Sequence, residues 1–274
     1  MRLAILSDIH GNLAAFEAVL TDLQRRPVDQ IIIAGDIVVG SPDSAACWQL
    51  ACSLGCPIVR GNHERYVAHY GTAQAPAVWA TPRFAPVQWA VAQCSPAERA
   101  TIDALPLFWR TPELPDLLIV HASLRSDNDS VAAYTPAAEL AQMFPQLAEH
   151  WVIRGHNHLA QVREWNGRRI ITTGAVGLPL DGNPAAQYLV LERHRSGWRY
   201  EHRVQPYDVA ATVRRFHETG YLAAAGPISR LFLREVITAG HALVPFFRTY
   251  QRWSPDGSLP LAEAAASSAA SSCP

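Results

Sequence analysis

An α/β fold is predicted by three features of the sequence. Strand-like and helix-like segments alternate over the first sixty residues. From residue 151 onward the pattern turns to short strands joined by tight turns. Five polar clusters recur along the chain, nearly all just after apolar runs: Asp8-Ile9-His10, Gly35-Asp36, Gly61-Asn62-His63-Glu64, His121 and Gly155-His156-Asn157-His158. The carboxyl ends of strands are where α/β sheets build their sites. Asp, Asn and His are oxygen and nitrogen donors that suit first-row transition metals. The pattern therefore describes a sheet edge that collects metal ligands.

Taken in order, Leu3–Leu6 reads as a buried strand. Asn12 can cap a helix that shows Leu13, Phe16, Leu20 and Leu23 on one face. Ile31–Ala34 is the next strand, Ser44–Leu54 a helix and Pro57–Val59 a third strand. This rhythm implies a parallel sheet. Residues 64–116 are rich in Pro, Trp and Ala and read as a helical insertion over the sheet edge; Ser95-Pro96-Ala97-Glu98 is a capping box with Pro at the first helical position. Leu117–Val120 is a strand, Ser123–Ser130 an exposed polar loop and Pro136–Met143 a helix. Trp151–Ile153 precedes the last cluster. Gln161–Glu164 and Arg169–Thr172 flank Asn166-Gly167, the signature of a type I′ hairpin. Gln187–Glu192 and Trp198–Val204 flank another turn, so this half should be largely antiparallel, as a second sheet or an extension of the first.

Residues 206–253 read as a helical extension carrying Leu231, Phe232, Val236, Leu243, Phe246 and Phe247, which either pack on the main domain or offer a homodimer surface. From about 254 to 274 the chain is Ala/Ser-rich and holds too few large side chains to offset its ordering entropy, so a disordered tail is expected.

At 274 residues the chain can form one large domain or two ordinary ones. A net charge of −1 creates no basic field to draw in nucleic acid or an anionic membrane. The first apolar run stops at Ser7-Asp8, too short for a signal-peptide core. No apolar stretch approaches the roughly eighteen residues needed to span a bilayer. A cytoplasmic location is expected. Cys47, Cys52, Cys56, Cys94 and Cys273 are odd in number and lack paired C-x-x-C spacing, so reduced thiols are expected rather than a zinc site or a disulfide framework.

Each cluster alone has a plainer explanation. Asp8 could cap a helix, Gly-Asp suits a turn, Asn62-His63 could open a helix, and a lone His121 could be a hydrogen-bonded core histidine. Gly155-His156-Asn157-His158 is the least chance-like, since two His at i and i+2 point the same way from an extended segment. The conjunction of all five, in this order, is far more specific.

The series D-x-H, G-D, G-N-H-E, H and G-H-x-H resembles the calcineurin-like metallophosphoesterase superfamily over residues 1 to about 205. Gly35-Asp36-Ile37-Val38 with Ser41-Pro42-Asp43, and Thr173-Gly174-Ala175-Val176-Gly177, are similar to its compact prokaryotic phosphoesterase and phosphodiesterase branch. The resemblance implies a four-layer αββα sandwich of two mixed β-sheets, here with a C-terminal helical extension. It implies two divalent transition-metal ions, manganese first, with Fe, Zn, Co or Ni also suited. Asp8, His10, Asp36 and His158 would hold one ion and Asp36, Asn62, His121 and His156 the other. A small phosphate ester, mono- or diester, would be attacked by a hydroxide bridging the metals, with His63 as general acid and Asn62 and Asp36 assisting. Glu64, where many relatives have Asp, would either support the ligands or simply favour the start of a helix. Arg60 and Arg125 are candidate phosphate contacts, with solvated surface the plainer reading of each.

Trp79, Phe84, Trp89 and the Ser123–Tyr134 loop are expected to shape the space above the metals. Ala122-Ser123-Leu124 and Thr172-Thr173-Gly174-Ala175 depart from the Gly-Ser-Pro and Asn-Pro-Gly-Ser common among relatives, which bears on substrate rather than on ligands. Two alternatives stand beside this reading: a non-catalytic metal-binding scaffold or interaction module on the same fold, and a metal-dependent hydrolysis of an amide or lactone.

Overall fold

The computed structural model describes residues 1–195, 197–254, 260, 261 and 264, and of Trp253 only the backbone. The strands are β1 (Arg2–Leu6), β2 (Gln30–Ile33), β3 (Phe108–Trp109), β4 (Leu117–Val120), β5 (Trp151–Arg154), β6 (Ala160–Trp165), β7 (Arg168–Thr173), β8 (Ala186–His194) and β9 (Gly197–Gln205). The helices are α1 (Leu13–Arg25), α2 (Ser44–Ser53), α3 (Asn62–His69), α4 (Ala85–Gln93), α5 (Pro96–Asp103), α6 (Ala137–Met143), α7 (Val209–Glu218), α8 (Tyr221–Ala224), α9 (Gly226–Thr238) and α10 (Leu243–Trp253). One sheet has the order β2-β1-β8-β9 and the other β3-β4-β5-β7-β6. Both are mixed: β1 runs parallel to β2 but antiparallel to β8, and β5 runs parallel to β4 and β7 while β6 is antiparallel to β7.

The layers follow from the period-two alternation of strands whose two faces are both covered. Leu3 and Ile5 of β1, Ile32 of β2 and Leu189 of β8 pack against Ile119 of β4, Ile153 of β5 and Ile171 of β7 between the sheets. The intervening residues Ala4, Leu6, Ile33 and Tyr188 face outward onto Phe16 and Val19 of α1 and Trp48 of α2. On the far side Leu118, Val120, Val152 and Ile170 meet Leu140 and Met143 of α6. This is the four-layer αββα sandwich. Each buried aliphatic side chain stabilises it by about 1.5–3 kcal/mol relative to exposure.

Local signals place the helices. The Asn12 side chain accepts from Ala15 N at 3.3 Å at the start of α1. Ser95 and Glu98 form the reciprocal capping box that opens α5. Asn166 and Gly167 both take positive φ, 48° and 72°, between β6 and β7, as a type I′ turn requires.

Two expectations change. Pro57–Val59 is not a full strand: it makes a single parallel bridge, Ile33 to Ile58, because Pro57 has no N–H to extend the ladder. The insertion is not wholly helical, since Phe108–Trp109 pairs antiparallel with β4 and edges the second sheet. The later half is largely antiparallel as expected, with β6 on β7, β8 on β9 and β8 on β1, and the exception is β5, which runs parallel to β4 and β7. In the helical extension Leu231, Phe232, Val236 and Phe246 are buried within the chain itself, together with Phe216 and Tyr221, while Ile237 and Val244 are exposed. The expected disordered tail falls for the most part outside the described residues; of it, Leu261 and Ala264 pack on that cluster. No helix among the described residues is long and apolar enough to cross a membrane.

Ile119, fully buried between the sheets, sets a test of this packing. Ile119→Ala should lower the unfolding free energy in urea by about 2–5 kcal/mol. Val204→Ala, at a half-exposed position of β9, should change it by no more than about 0.5 kcal/mol.

Candidate metal centre

The strand ends of the two sheets meet at one point. The loop after β1 is stitched to the loop after β2 by Asp8 N–H to Gly35 O (3.0 Å), His10 N–H to Asp36 O (2.9 Å) and Gly11 N–H to Ile37 O (2.8 Å). Across the sheets, His156 N–H donates to the Asp8 carboxylate at 3.0 Å, and from the start of α3 His63 N–H donates to Asp36 Oδ1 at 2.9 Å. Two glycines permit this approach. A Cβ on Gly61 would lie 2.2 Å from Asp36 Oδ1, and one on Gly155 would lie 1.7 Å from Ser7 Oγ.

Asp8, His10, Asp36, His156 and His158 all take left-handed backbone, with φ between 51° and 71°. Such a conformation is costly for a non-glycine residue and persists only where its surroundings hold it; it concentrates at functional sites.

The side chains converge on two positions. Asp8 Oδ1 lies 3.4 Å from His158 Nε2 and 3.9 Å from His10 Nε2. Asp36 Oδ2 lies 3.2 Å from His121 Nε2, 3.7 Å from His10 Nε2 and 4.0 Å from His63 Nε2, so it faces both positions. The Asn62 amide lies 3.0 Å from His121 Nε2 and 3.0 Å from His156 Nδ1. All seven sequence-predicted ligands are thus gathered here. Donor atoms within 4.8 Å of one another form the groups Asp8–His10–His158, Asp36–His121–His156 and His10–Asp36–His63.

The imidazole tautomers test whether cations fit. His10 Nδ1 lies 2.8 Å from Val39 O, His158 Nδ1 2.7 Å from Leu178 O, and His121 Nδ1 2.8 Å from Ala34 O. A carbonyl can only accept, so these nitrogens carry the hydrogen, and in the neutral ring Nε2 is left with its lone pair. His10 Nε2 and His158 Nε2 then face each other at 3.1 Å, an arrangement that a cation or a proton between them makes favourable. His156 uses the other nitrogen: Nε2 is 3.1 Å from Asn128 O, which leaves Nδ1 toward Asn62. Fixing one ring nitrogen on a carbonyl is the usual way a metal-binding imidazole is aimed. At the Asn62 amide, nitrogen turned inward would donate to these lone pairs, and oxygen turned inward would face a cation.

Electrostatics agree. Burial opposes ionisation of Asp8, but neighbouring His158 outweighs it and holds the carboxyl at about 2. Burial acts likewise on Asp36, and His121 and His63 bring it well below the usual carboxylate range. Burial, reinforced by neighbouring imidazoles, pushes His10 and His156 down to about 3. Burial also lowers His121, but Asp36 overrides it and lifts the imidazole to about 9; Asp8 raises His158 in the same way. Those two imidazoles must lose a proton before they can ligate.

His63 stands at the margin. Its ring packs edge-on against His10, with centroids 4.7 Å apart, and against Tyr66 at 5.3 Å. Burial pushes it down while Asp36 pulls it up. Trp79 and Phe84 surround Tyr66 on the same side. Trp89 turns away instead, bonding Pro42 O at 2.9 Å and packing on Tyr221, because the C-terminal helices cover it. Arg60 is engaged by Asp103 and Arg125 by Asp129, and both line a cavity of about 300 Å³ whose wall includes His121, Leu107 and Phe108.

Two supporting roles go beyond what the sequence motifs convey. The Glu64 carboxylate, fully buried, accepts from Asp36 N and Ile37 N at 2.7 Å and from Gly61 N at 2.8 Å. It thereby ties the Asp36 loop to the start of α3, where Asn62 sits; burial and nearby Asp36 raise it to about 7. Arg154, also fully buried, donates to Ala122 O and Asp129 O at 2.7 Å and to Thr172 Oγ1 at 3.2 Å. It joins the loop after His121 to the strand that leads into His156. A charged residue closing the apolar run just before Gly155 is the signal that could have marked it.

Residues 1–196 match the family model described as the calcineurin-like phosphoesterase superfamily domain. A relative from Methanocaldococcus jannaschii, described as an uncharacterized protein, is 24% identical over 213 residues, or 69% of this chain and 82% of its own. The crystal structure of a metallophosphoesterase from Sphaerobacter thermophilus is 28% identical, with a TM-score of 0.65 over 82% of this chain and 99% of that one. A hypothetical protein from Pyrococcus horikoshii shares the fold at a TM-score of 0.69 and 15% identity, covering 88% of this chain and 99% of its own.

The Glu64 tie yields a prediction. Glu64→Gln replaces a two-oxygen acceptor with an amide whose NH2 meets backbone donors. It should weaken divalent-ion binding by about 10–100-fold and stability by about 1–3 kcal/mol, read by isothermal titration with Mn²⁺ and by urea unfolding.

Proposed function

The chain belongs to the calcineurin-like phosphoesterase superfamily, and from that premise we propose that it is a dinuclear metal-dependent phosphoesterase acting on a small phosphomonoester or phosphodiester. The observation that carries this reading is the facing set of lone pairs around Asp36. His10 and His158 with Asp8 define one position, His121, His156 and Asn62 the other, and Asp36 Oδ2 is within 3.2–3.7 Å of a nitrogen from each. The mixed oxygen and nitrogen donors accept Mn, Fe, Zn, Co or Ni, with availability deciding among them.

When bound, two such ions polarise a phosphoryl oxygen and lower the pKa of a coordinated water toward neutrality. The remaining work falls to side chains. The Asn62 amide and the His63 imidazole flank the space where a phosphate would sit and orient it. The attacking water gives one proton to solvent, its oxygen forms the new bond to phosphorus, and the ester P–O bond opposite it breaks. His63 Nε2 hands its proton to the departing oxygen. Burial alone would keep His63 neutral, so its charged form depends on the negative charge of Asp36 and of the phosphate itself. The cavity beside His121 leaves room for a small substrate, while Arg60 and Arg125 in its wall are already paired with Asp103 and Asp129.

The test is hydrolysis of p-nitrophenyl phosphate and bis-p-nitrophenyl phosphate by purified protein with Mn²⁺; turnover of neither would sink the reading. Asp36→Ala should lose both ion binding and activity. His63→Ala should keep both ions yet lose about 10²–10⁴-fold in kcat. Loss of an ion in that variant would make His63 a ligand instead.

A further inference from the structure

The two loops on which His10 and His158 hang are both clamped by the C-terminal helices. Val39, whose carbonyl accepts from His10 Nδ1, has φ 66°, a genuine outlier for a β-branched residue. It keeps that conformation only because its surroundings hold it. Its N–H donates to Ser44 Oγ at 3.0 Å, and the next carbonyl, Gly40 O, accepts the Tyr221 hydroxyl at 3.0 Å. Tyr221 is fully buried against Phe216 and Trp89. Three residues further along the same loop, Arg215 of α7 grips the Asp43 carboxylate with two nitrogens.

The second loop is held from the same side. Leu178, whose carbonyl accepts from His158 Nδ1, buries its side chain among Phe216, Tyr221 and Phe232. Gly182 N–H donates to Ala239 O at 2.8 Å, just past the end of α9. The other two imidazoles hang on acceptors drawn from elsewhere: His121 on Ala34 at the end of β2, and His156 on Asn128.

We infer that the C-terminal helices, which lie beyond the family-matched residues 1–196, are a positioning element for one cation position only, the one served by His10 and His158. Tyr221 is the residue that carries the effect. Its hydroxyl keeps Gly40, and through it Val39, from relaxing, so His10 Nε2 stays aimed at His158 Nε2. This rests on the dinuclear reading.

The test compares Mn²⁺ affinity, by counting free ion at equilibrium, in two backgrounds of the full chain. Tyr221→Phe keeps the ring packing and removes only the hydroxyl. Added to His156→Ala, where the His10–His158 position is the one left intact, it should weaken the remaining ion about 10-fold or more. Added to His10→Ala, it should leave the remaining ion within about 2-fold, with thermal unfolding lowered alike in both backgrounds, as expected where a buried carbonyl loses its donor. No loss in the first background, or an equal loss in both, overturns the inference. If the single-position variants bind no ion, the intact centre gives the answer, because one of its two ions must weaken and the other must not. A wild type that takes up fewer than two ions removes the dinuclear reading itself, a different result. Arg215→Ala, at the surface, repeats the comparison should Tyr221→Phe fold poorly.

Discussion

Two carboxylates, Asp8 and Asp36, are buried at one point where the two sheets meet, and the fold is arranged around the cost of putting them there. Isolated buried charges are costly, and only close partners make such a position tenable. Each carboxylate is therefore met twice: by a backbone N–H, from His156 after β5 of the opposite sheet for Asp8 and from His63 in α3 for Asp36, and by imidazoles on the inner side. The glycines of the G-N-H-E and G-H-x-H segments are part of the same solution, since no side chain fits where Gly61 and Gly155 pass. The sandwich brings strand ends from residues 6, 33, 120 and 154 to this spot, and the motifs sit where those strands stop.

Much of this was legible in the sequence, for a local reason. Strands buried on both faces read as unbroken apolar runs, and polar residues just past the end of each run reach the centre. Asn12, Ser95 with Glu98, and Asn166-Gly167 mark their elements through contacts within a few residues. What escaped depended on partners far away in the chain. Pro57–Val59 has strand composition, yet only tertiary placement shows that a single bridge forms. Glu64 looks like a favourable first-turn acid, and its more consequential bonds go to Asp36 and Ile37, 28 and 27 residues distant. Arg154 reads as the end of a strand, while its acceptors are two loops and a neighbouring strand. Trp89 was grouped with Trp79 and Phe84 by proximity in sequence, but the C-terminal helices claim its ring.

The family pattern and the rest of the chain also divide the labour. The motifs supply the donors, and the helices from α7 onward hold the loops behind His10 and His158 while packing on α1 and α4. The cavity wall holding Leu107, Phe108 and Arg125 is built from segments between motifs. These are also the stretches in which Ala122-Ser123-Leu124 departs from the common pattern. The metal-ligand candidates and most of this cavity wall are thus drawn from different parts of the sequence.

The left-handed backbone at Asp8, His10, Asp36, His156 and His158 has a thermodynamic consequence. Each such residue costs about 1–2 kcal/mol relative to an ordinary conformation, and a domain of this kind has a net stability of only about 5–15 kcal/mol. The centre is therefore a reservoir of strain that the rest of the sandwich holds in place. Any cation that binds the native arrangement and not the unfolded chain adds to stability by mass action. The resistance of this protein to heat is then a property shared between its sequence and the ion concentration around it, and a melting temperature for it has meaning only when that concentration is stated.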